Sequence, residues 1–426
     1  MTELLTRRSF LTKGILSLGA AMALGPDALR PAQPSRAAGG QHTSTPPLNL
    51  VVVITDDQDR ASLSVMRRLL SYPAGGWTNF TTAVANQAIC APSRATLLTG
   101  RYPHNHGVTT NNLKGQLDTS SFMPVWLKDA GYKVAHIGKW LKGNGRISKP
   151  PGFDVFSQGG RAGTVFPKGC DFIRAAAGQP FALFLCPVDP HRRARPASQY
   201  ARTDLTLPPL PPVETDLSDK PEWVQRRASS RADEKERLNA YRSLLGVDDG
   251  IFNIIETLSE TGVLDNTAII FTSDNGYSWG SNGVSGKNAP YDPSILIPML
   301  VRVPGLPDRE EPRIVSMVDL AVTIADLAGV TPPHPTDGRS LVPMLHDATA
   351  PWDSVALIEG YPDRRRPAGS WWGVRTDRYA YVENNTGELE LYDLAVDPFE
   401  HENAANKPEY AGVQAELAGK LAQLMA

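Results

Sequence analysis

Several short runs of apolar residues along the chain have the composition of buried β-strands. The clearest covers residues 48–55, Leu-Asn-Leu-Val-Val-Val-Ile-Thr, which is almost continuously apolar and rich in β-branched residues. Similar runs cover residues 132–137, 181–186 and 268–272. Successive side chains of a strand point to opposite faces, so a run that is apolar throughout predicts a strand covered on both sides, as in a parallel sheet.

Segments with helical spacing alternate with these strands, at residues 60–70, 92–99, 122–130 and 233–261. In the last segment, apolar or aromatic residues recur at i, i+3 and i+4, which is the pattern of one buried helix face. Asp248 and Asp249 interrupt this stripe, and we interpret them as structural carboxylates. Strands alternating with helices predict an α/β domain over residues 48–345, with a mainly parallel central sheet flanked by helices.

The pattern changes after residue 345. Short strand-like stretches at 371–375, 379–383 and 388–392 are separated by polar turns, and an Ala/Leu-rich helix at 409–425 follows them. This spacing is typical of an antiparallel sheet. Residues 346–426 are therefore predicted to form a small C-terminal subdomain with an antiparallel sheet and a terminal helix.

The N-terminus has the pattern of an export signal. Arg7 and Arg8 precede a short apolar stretch at 14–24, and prolines follow at once. These prolines argue against the alternative of a buried helix. We interpret residues 1–37 as a twin-arginine signal peptide and 38–47 as a linker, so the twin-arginine translocase would deliver a secreted, extracytoplasmic protein. No later apolar run approaches the roughly 18 residues that a membrane span requires.

Composition excludes one class of partner. Lys and Arg number 43 against 45 Asp and Glu, so the chain lacks the basic excess of a nucleic-acid-binding protein. Its three cysteines, Cys90, Cys170 and Cys186, are an odd number, which leaves at least one unpaired. Cys186 lies within an apolar run and is interpreted as a small buried hydrophobic residue. No disulfide framework is expected.

Polar residues directly follow two of the predicted strands. Asp56 and Asp57 end the first run, and Asp274 and Asn275 follow the run at 268–272. Ligands of parallel sheets bind beyond the carboxyl ends of the strands. Adjacent buried carboxylates need a neutralising cation, and carboxylate and amide oxygens are ligands for Ca²⁺ or Mg²⁺ rather than zinc. These four residues are therefore candidate metal ligands, although Asp-Asp after a strand is about as often a loop cap.

The segment from Cys90 to Arg101 carries the strongest chemical signal. Pro92 suits the first position of a helix and Gly100 its end, which places Cys90 just before a helix N-terminus. Free amides there favour an anion, and Arg94 can reach the same anion. From these residues alone, Cys90 is either a nucleophile of low pKa or a packed cysteine.

The sequence Cys90-Ala-Pro-Ser-Arg-Ala-Thr-Leu-Leu-Thr-Gly-Arg101 resembles the signature of type I sulfatases, whose cysteine is oxidised to formylglycine. Further motifs resemble the same family in the same order, at residues 56–58, 131–140, 190–191, 272–276, 287–301, 373–379 and 391–394. The resemblance implies an alkaline-phosphatase-like α/β sandwich and a sulfatase that hydrolyses sulfate monoesters.

The resemblance also implies the cofactors and the roles of residues. The cofactors are Ca²⁺, with Mg²⁺ as the alternative, and a formylglycine made from Cys90 by a formylglycine-generating enzyme. Hydration of this aldehyde gives a gem-diol, of which one hydroxyl attacks sulfur. The implied metal ligands are Asp56, Asp57, Cys90, Asp274 and Asn275, and the implied catalytic residues are Cys90, Arg94, Lys139, His191 and Lys287. Candidate substrate-binding residues are Asn111, Asn112, His191 and Lys287.

Within the family, residues 102–106, 111–112 and 139–141 resemble the branch of N-acetylglucosamine-6-sulfatases and heparan-sulfate endosulfatases. The expected substrate is therefore a sulfated sugar. Two positions depart from that branch: Ser278 stands where histidine is frequent, and Lys142 where asparagine is common. Arg192, Arg193 and Arg195 form a basic cluster that is explained either by a solvated loop or by contact with further sulfates.

Two other functions are compatible with the sequence. Related folds use the same metal and formylglycine on phosphorus, so one alternative is a phosphonate monoester or phosphodiester hydrolase. A protein that binds sulfated glycans without catalysis is the other. The complete set of implied catalytic residues favours the sulfatase.

Overall fold

The computed structural model describes residues 47–72, 75–112, 117–141, 148–176, 178–227, 233–362 and 369–426. The predicted signal peptide, all but the last residue of the predicted linker, and Lys142 lie outside these ranges. In chain order the strands are β1 (Asn49–Thr55), β2 (Trp77–Phe80), β3 (Ala83–Val84), β4 (Lys133–Gly138), β5 (Val155–Gln158), β6 (Phe181–Cys186), β7 (Thr267–Ser273), β8 (Ser278–Trp279), β9 (Ser285–Gly286), β10 (Leu296–Ile297), β11 (Met299–Arg302), β12 (Arg309–Glu311), β13 (Val315–Ser316), β14 (Val355–Gly360), β15 (Trp371–Thr376), β16 (Tyr379–Asn384) and β17 (Leu389–Asp393).

The α-helices, likewise in chain order, are α1 (Arg67–Leu70), α2 (Cys90–Thr99), α3 (Pro103–His106), α4 (Met123–Asp129), α5 (Ala162–Ala176), α6 (Glu222–Arg227), α7 (Glu234–Glu260), α8 (Asp292–Ile295), α9 (Asp319–Leu327), α10 (Val342–His346) and α11 (Ala411–Leu424). Short 3₁₀ helices cover Arg60–Val65, Thr119–Ser121, Leu264–Asn266 and Pro408–Tyr410. Among the described residues, no helix combines the length and the hydropathy needed to cross a membrane.

The central sheet has the order β12-β2-β11-β7-β1-β6-β4-β5. Strands β7, β1, β6, β4 and β5 are parallel, whereas β11 runs antiparallel to both of its neighbours. This confirms the predicted α/β class with a mainly parallel sheet. The prediction missed β2, β5, β11 and β12, because these short strands lack a long β-branched run.

Side chains of β1 alternate between two hydrophobic layers. Leu50, Val52 and Ile54 pack in one layer, which includes residues of α2, α4 and α9. Val51 and Val53 pack in the other, with residues of α5 and α7. All seven residues of β1 are buried, as a strand covered on both faces requires.

The C-terminal residues form the four-stranded antiparallel sheet β14-β15-β16-β17, followed by α11. The predicted strands at 371–375, 379–383 and 388–392 correspond to β15, β16 and β17, and β14 is additional. Ile358 and Trp371 of this sheet share a hydrophobic cluster with Val84 and Ala88. This sheet therefore packs against the rest of the fold, while the boundary at residue 346 stays a prediction.

Asp248 and Asp249 act as the structural carboxylates that the sequence suggested. Asp248 accepts hydrogen bonds from the backbone amides of Arg68 and Leu69, at 2.9 and 2.8 Å, and so caps the start of α1. Asp249 pairs with the side chain of Arg68 at 2.8 Å. Cys90, Cys170 and Cys186 are all buried and free, which agrees with the absence of a disulfide framework.

Candidate active site

The parallel pairing of β1 and β7 brings the two acidic strand ends together. Thr55 pairs with Ser273 in register, so Asp56 and Asp274 follow directly at the same edge of the sheet. The backbone amide of Asp57 donates to Asp274 Oδ1 at 3.1 Å, and the amide of Asp274 donates to the carbonyl of Thr55 at 3.1 Å. Asp57 has a positive φ of 62°, a strained conformation that is concentrated at functional sites.

Helix α2 brings Cys90 to this edge. The helix begins at Cys90, so Cys90 is its first residue rather than the residue before it. Pro92 is tolerated at the third position because the first amides of a helix have no partner within it. The Cys90 Sγ lies 3.5 Å from Asp56 Oδ1 and 3.9 Å from Asp57 Oδ1. The first turn of α2 therefore faces the carboxylates.

Burial and the nearby Asp274 raise the pKa of the Cys90 thiol to about 12. The thiolate is the nucleophilic form of cysteine. At neutral pH the side chain is a thiol, so the structure argues against the interpretation of unmodified Cys90 as a nucleophile of low pKa.

Two lysines reach the cluster from separate elements. Lys139, directly after β4, places its Nζ 2.5 Å from Asp56 Oδ1 and 3.4 Å from Asp274 Oδ2. Lys287, directly after β9, contacts Asp57 Oδ1 and lies 2.7 Å from the Cys90 Sγ. Both lysines are buried, at 4% and 7% exposure, so each ammonium depends on these carboxylates for its charge partner.

Arg94, on α2, donates hydrogen bonds to three groups around the centre. Its Nε donates to Asp274 Oδ2 at 2.8 Å, Nη1 to the carbonyl of Lys139 at 3.1 Å, and Nη2 to the carbonyl of Thr55 at 3.3 Å. The guanidinium thus joins α2 to the ends of β1, β4 and β7. Its predicted contact with a substrate anion stays a prediction.

The charges of the centre balance, since three carboxylates meet three cations. Burial alone would raise the pKa of Asp274, but Arg94, Lys139 and Lys287 outweigh it and hold that pKa below its ordinary value. Asp274 therefore remains ionised although it is 0% exposed. A concentration of ionised groups in a dry site is the environment in which electrostatic catalysis is strongest.

The donor set fits a hard divalent cation. One ligand atom from each of Asp56, Asp57, Cys90 and Asp274 lies within 4.8 Å of the others, and all four residues are buried. Asn275 lies against this group, since its Nδ2 donates to Asp57 Oδ1 at 2.8 Å, and a ligand role for its Oδ1 stays a prediction. Oxygen ligands dominate the set, which suits Ca²⁺ or Mg²⁺.

The remaining predicted residues lie around this centre at different distances. His191 places its Nε2 3.6 Å from Asp57 Oδ2, and its side chain is 46% exposed, so it stands at the solvent side of the site. Asn111 accepts a hydrogen bond from the amide of Ala91 at 3.0 Å, in the first turn of α2. Asn112 is exposed, and its backbone amide donates to the Thr110 hydroxyl at 3.1 Å.

Of the two positions that depart from the expected branch, Ser278 lies within the described residues and has a structural role. Ser278 is buried, and its hydroxyl donates to the carbonyl of Val284 at 2.6 Å, which closes the β8–β9 hairpin. The basic cluster is partly engaged, since Arg192 Nε donates to Glu236 at 3.1 Å. This contact favours the interpretation of the cluster as a surface loop.

Sequence reasoning missed two residues that position the site. Asp189 pairs with Arg161 at 2.6 Å, and its carbonyl accepts from the amide of Asp56 at 3.1 Å, which fixes the end of β1. Arg227 donates to the carbonyls of Lys287 and Asn288, at 2.8 and 3.0 Å, and so holds the segment that carries Lys287. Neither residue lies in a recognisable chemical motif, so no local signal identified them.

Comparison with known proteins gives two family matches. The model described as Sulfatase matches residues 48–330, and the model described as N-sulphoglucosamine sulphohydrolase, C-terminal, matches residues 280–426. A Sulf-1 homolog of Caenorhabditis elegans is 31% identical over 381 residues, which cover 73% of this chain and 52% of that protein. The chain thus spans about half the length of that relative. An N-acetylglucosamine-6-O-sulfatase of Bacteroides thetaiotaomicron is 26% identical over 487 residues, which cover 89% of this chain and 86% of that protein.

Solved structures share the fold. A protein solved in complex with its substrate D-glucosamine-2-N,6-O-disulfate superimposes with a TM-score of 0.74 at 24% identity, over 88% of this chain and 97% of that one. The phosphonate monoester hydrolase of Agrobacterium radiobacter superimposes with a TM-score of 0.73 at 22% identity, over 89% and 95%. These likenesses support the alkaline-phosphatase-like sandwich as the fold. The enzyme class expected from the sequence, a sulfuric ester hydrolase, agrees with the family match over residues 48–330, which shows that the chain belongs to the sulfatase family.

Proposed function

We propose that this protein hydrolyses sulfate monoesters of a sulfated sugar at the centre formed by Asp56, Asp57, Cys90 and Asp274. The observation that carries the proposal is the convergence of these four buried groups with three buried cations at one edge of the sheet. A sulfate monoester is an anion on a poor leaving group. Its hydrolysis needs charge stabilisation, a strong nucleophile and a proton donor, and this edge of the sheet has residues for each task.

We assign the divalent ion, Ca²⁺ or Mg²⁺, to Asp56, Asp57, Asp274 and Asn275 together with residue 90. The donor set supports this assignment, because ligand atoms of three buried carboxylates lie within 4.8 Å of one another and hard divalent ions prefer oxygen ligands. When bound, such an ion lowers the pKa of a coordinated nucleophile and polarises a sulfate oxygen.

We assign the nucleophile to a formylglycine made from Cys90. The position of residue 90 supports this assignment, because its side chain lies 3.5 Å from Asp56 Oδ1 and 2.7 Å from Lys287 Nζ. The hydrated aldehyde would supply a hydroxyl at the start of α2. The converting enzyme would act before folding completes, since Cys90 is buried in the folded chain, and the twin-arginine route exports folded protein.

Lys139, Lys287 and Arg94 would stabilise negative charge at this centre. Lys287 touches both Asp57 and the Cys90 Sγ, so a group bound at residue 90 would lie within its reach. Lys139 bridges Asp56 and Asp274, and its positive charge would offset the repulsion between the two carboxylates. Arg94 would fix Asp274. Removal of one such donor lowers turnover on the order of 10²–10³ by analogy with oxyanion donors.

His191 would donate the proton to the departing alcohol. Its Nε2 faces Asp57 and its side chain reaches solvent, which is the position from which a leaving group would exit. Asn111 would line the substrate side of α2, and Asn112 would contact the sugar from the exposed rim.

A sulfated sugar is the substrate we favour, because the curated relatives include an N-acetylglucosamine-6-O-sulfatase. Hydrolysis of a phosphonate monoester is the second candidate, because a phosphonate monoester hydrolase shares the fold. Sulfate monoesters and phosphonate monoesters each carry one negative charge at neutral pH. The charge of the centre therefore does not separate the two candidates, and turnover of the two esters does.

Turnover of paired esters tests the proposal. Purified protein, loaded with Ca²⁺ or Mg²⁺, is assayed with N-acetylglucosamine-6-sulfate and with a phosphonate monoester, and Cys90→Ala is the matched inactive variant. We expect sulfate release that depends on Cys90 and exceeds phosphonate turnover. Faster phosphonate turnover would transfer the assignment to the second candidate. Binding of sulfated sugar with no turnover of either ester would indicate a non-catalytic glycan binder.

A further inference from the structure

A short helix, α8, contacts both the proposed metal site and the C-terminal sheet. Gly276 follows the candidate ligand Asn275, and its amide donates to the carbonyl of Ser294 in α8 at 3.0 Å. The Asn275 side chain is held from the same glycine, since its Nδ2 donates to the carbonyl of Gly276 at 2.8 Å. The position of α8 therefore sets the position of Gly276, and with it the orientation of Asn275.

Gly276 and α8 meet through their backbones. A methyl group on Gly276 would lie 2.6 Å from the carbonyl oxygen of Pro293 and 2.7 Å from that of Leu296. These distances are too short for any side chain, so the close approach requires glycine at this position. Because the contact joins backbone to backbone, a shift of α8 is passed directly to residues 274–276.

The carboxyl end of α8 supports the segment that leads to Cys90. The carbonyl of Ile295 accepts from the amide of Ala85 at 2.8 Å. The next residues, 296–297 in β10, then pair with β3. Ala85 precedes Cys90 by five positions. The same short helix thus braces both chain segments that bring candidate ligands to the centre.

The start of α8 is anchored by residues from the C-terminal part of the chain. Arg375, on β15, forms a bidentate ion pair with Asp292, the first residue of α8, from Nε to Oδ1 and from Nη2 to Oδ2, both at 2.9 Å. Glu400 accepts from the amide of Asp292 at 2.8 Å. Arg375 is only 6% exposed. A buried, bidentate pair of this kind fixes the geometry of both partners.

A second arginine in the same sheet makes an equivalent pair that stays within the sheet. Arg378 donates to the two carboxylate oxygens of Asp393, on β17, at 2.8 and 2.6 Å. Its side chain is 57% exposed. Arg378 and Arg375 lie three positions apart and form the same type of pair, but Arg375 reaches out of the sheet to α8. The comparison separates an ion pair that serves the sheet from one that serves the centre.

We infer that Arg375 is a positioning residue for the divalent ion, because through Asp292 and α8 it holds the backbone of residues 274–276 in the arrangement that binds the ion. The inference rests on the proposed function, since it concerns the same ion site. It goes further by assigning part of the affinity of that site to a residue of the C-terminal sheet. Mutation of a residue that orients metal ligands typically lowers metal affinity about 10–100-fold.

Calorimetric titration of the full chain, stripped by a chelator, with Ca²⁺ and with Mg²⁺ tests this inference. We expect the Kd of Arg375→Met to be about tenfold higher than that of the wild type, with a similar increase in Asp292→Asn. The double variant should bind no more weakly than either single variant, because the two residues act as one pair. Arg378→Met is the matched control and should keep the wild-type Kd.

Thermal melting of the ion-free protein separates positioning from general stability. Loss of an ion pair can lower the melting temperature of both arginine variants, but only Arg375→Met should change the Kd. If Arg375→Met does not fold, Asp292→Asn decides the question, since it keeps the size of the side chain and removes only its charge. The Asp292 side chain is 19% exposed, which makes this change the milder of the two.

An unchanged Kd in folded Arg375→Met and Asp292→Asn would overturn the inference, and so would an equal increase in Arg378→Met. If the wild type binds neither ion, the proposed metal assignment fails and the inference fails with it. Weaker ion binding in Arg375→Met, in a protein whose wild type releases no sulfate, would support the inference while the proposed reaction fails.

Discussion

Two regions of the molecule bury carboxyl groups completely, and the pKa of the carboxyl group shifts in opposite directions in the two regions. At the strand ends, Asp274 is 0% exposed and is paired with Arg94 and Lys139, and the neighbouring cations hold its pKa below the ordinary value. In the C-terminal sheet, Glu390 is also 0% exposed, but its hydrogen bonds come from neutral groups, the hydroxyls of Tyr291 and Tyr392 at 2.8 and 2.7 Å.

Burial raises the pKa of Glu390, so this carboxyl is neutral over a wider pH range than Asp274. Burial of an acid therefore does not by itself identify a chemical site. The strand-end cluster differs because several ionised groups of both signs converge there. Hydrogen bonds from neutral donors, such as those to Glu390, fix the packing of the surrounding side chains. A cluster of charged groups also creates the electrostatic field that catalysis on an anion requires.

The largest effect is expected from Asp57→Ala. This change should remove a ligand of the divalent ion and lower turnover on the order of 10³, and chelation of the wild type should have a similar effect that added Ca²⁺ or Mg²⁺ reverses. Sulfate release and metal content by mass spectrometry measure both consequences. Asp249→Ala is the control, because its partly exposed pair with Arg68 is structural. Full activity and full metal content in Asp57→Ala would show that the site is misplaced.

A smaller effect, which depends on the substrate, is expected from His191→Gln. Loss of a general acid lowers turnover on the order of 10² when the leaving group is a sugar alkoxide. An aryl sulfate, whose phenolate departs without a proton, should lose far less. Steady-state kinetics on the two esters compare the variants. An equal loss on both substrates would contradict the role of His191 as the acid.

The hydrogen-bond network of Glu390 should affect stability and leave turnover unchanged. Glu390→Gln keeps the size of the side chain and alters its hydrogen bonds with the two tyrosines, so we expect a loss of about 1 kcal/mol in the free energy of unfolding. Urea denaturation measures this loss, and Tyr392→Phe serves as a second variant that removes one hydroxyl from the same network. A large loss of turnover in folded Glu390→Gln would end the distinction between the two clusters.

The smallest effect is a pH dependence of stability at His104. The hydrogen bond with Glu359, 2.8 Å long, raises the pKa of His104. A raised pKa in the folded state stabilises the fold below the ordinary pKa of histidine, and this stabilisation is lost as the pH rises through the folded value. His104→Gln should therefore destabilise the protein more at pH about 5.5 than at about 8.5, by less than about 1 kcal/mol. The reverse trend in urea titrations at the two pH values would contradict the assignment.

The sequence predicted the parts of the fold whose pattern is set by burial on both faces. Strands β1, β4, β6 and β7 were identified because each is a long apolar run, and the ends of β1 and β7 carry the predicted acids. Helix α5 was missed because Gly163, Pro167 and Gly169 interrupt its apolar spacing, although the helix forms with Pro167 inside it. Its tertiary contacts with α7 and β6 supply what local propensity lacks.

The identity of the site residues was more predictable than their contacts. Motifs selected Cys90, Arg94, Lys139 and Lys287, because a resemblance identifies residue types at fixed positions. The direction of the Arg94 donors, towards Asp274 and two carbonyls, depends on the register of β1 and β7. Asp59 and Glu400 line one cavity although they lie 341 positions apart in the sequence, so a local sequence pattern could not predict this cavity.

Peptide mass spectrometry of the active, exported protein tests the central claim most directly, because the proposed chemistry begins at residue 90. We expect an aldehyde at this position, with thiols at most at Cys170 and Cys186, and a loss of sulfate release in Cys90→Ala while the fold is retained. Cys90→Ser should be nearly as inactive, since serine cannot supply the aldehyde. An unmodified thiol at residue 90 in fully active protein would contradict the account.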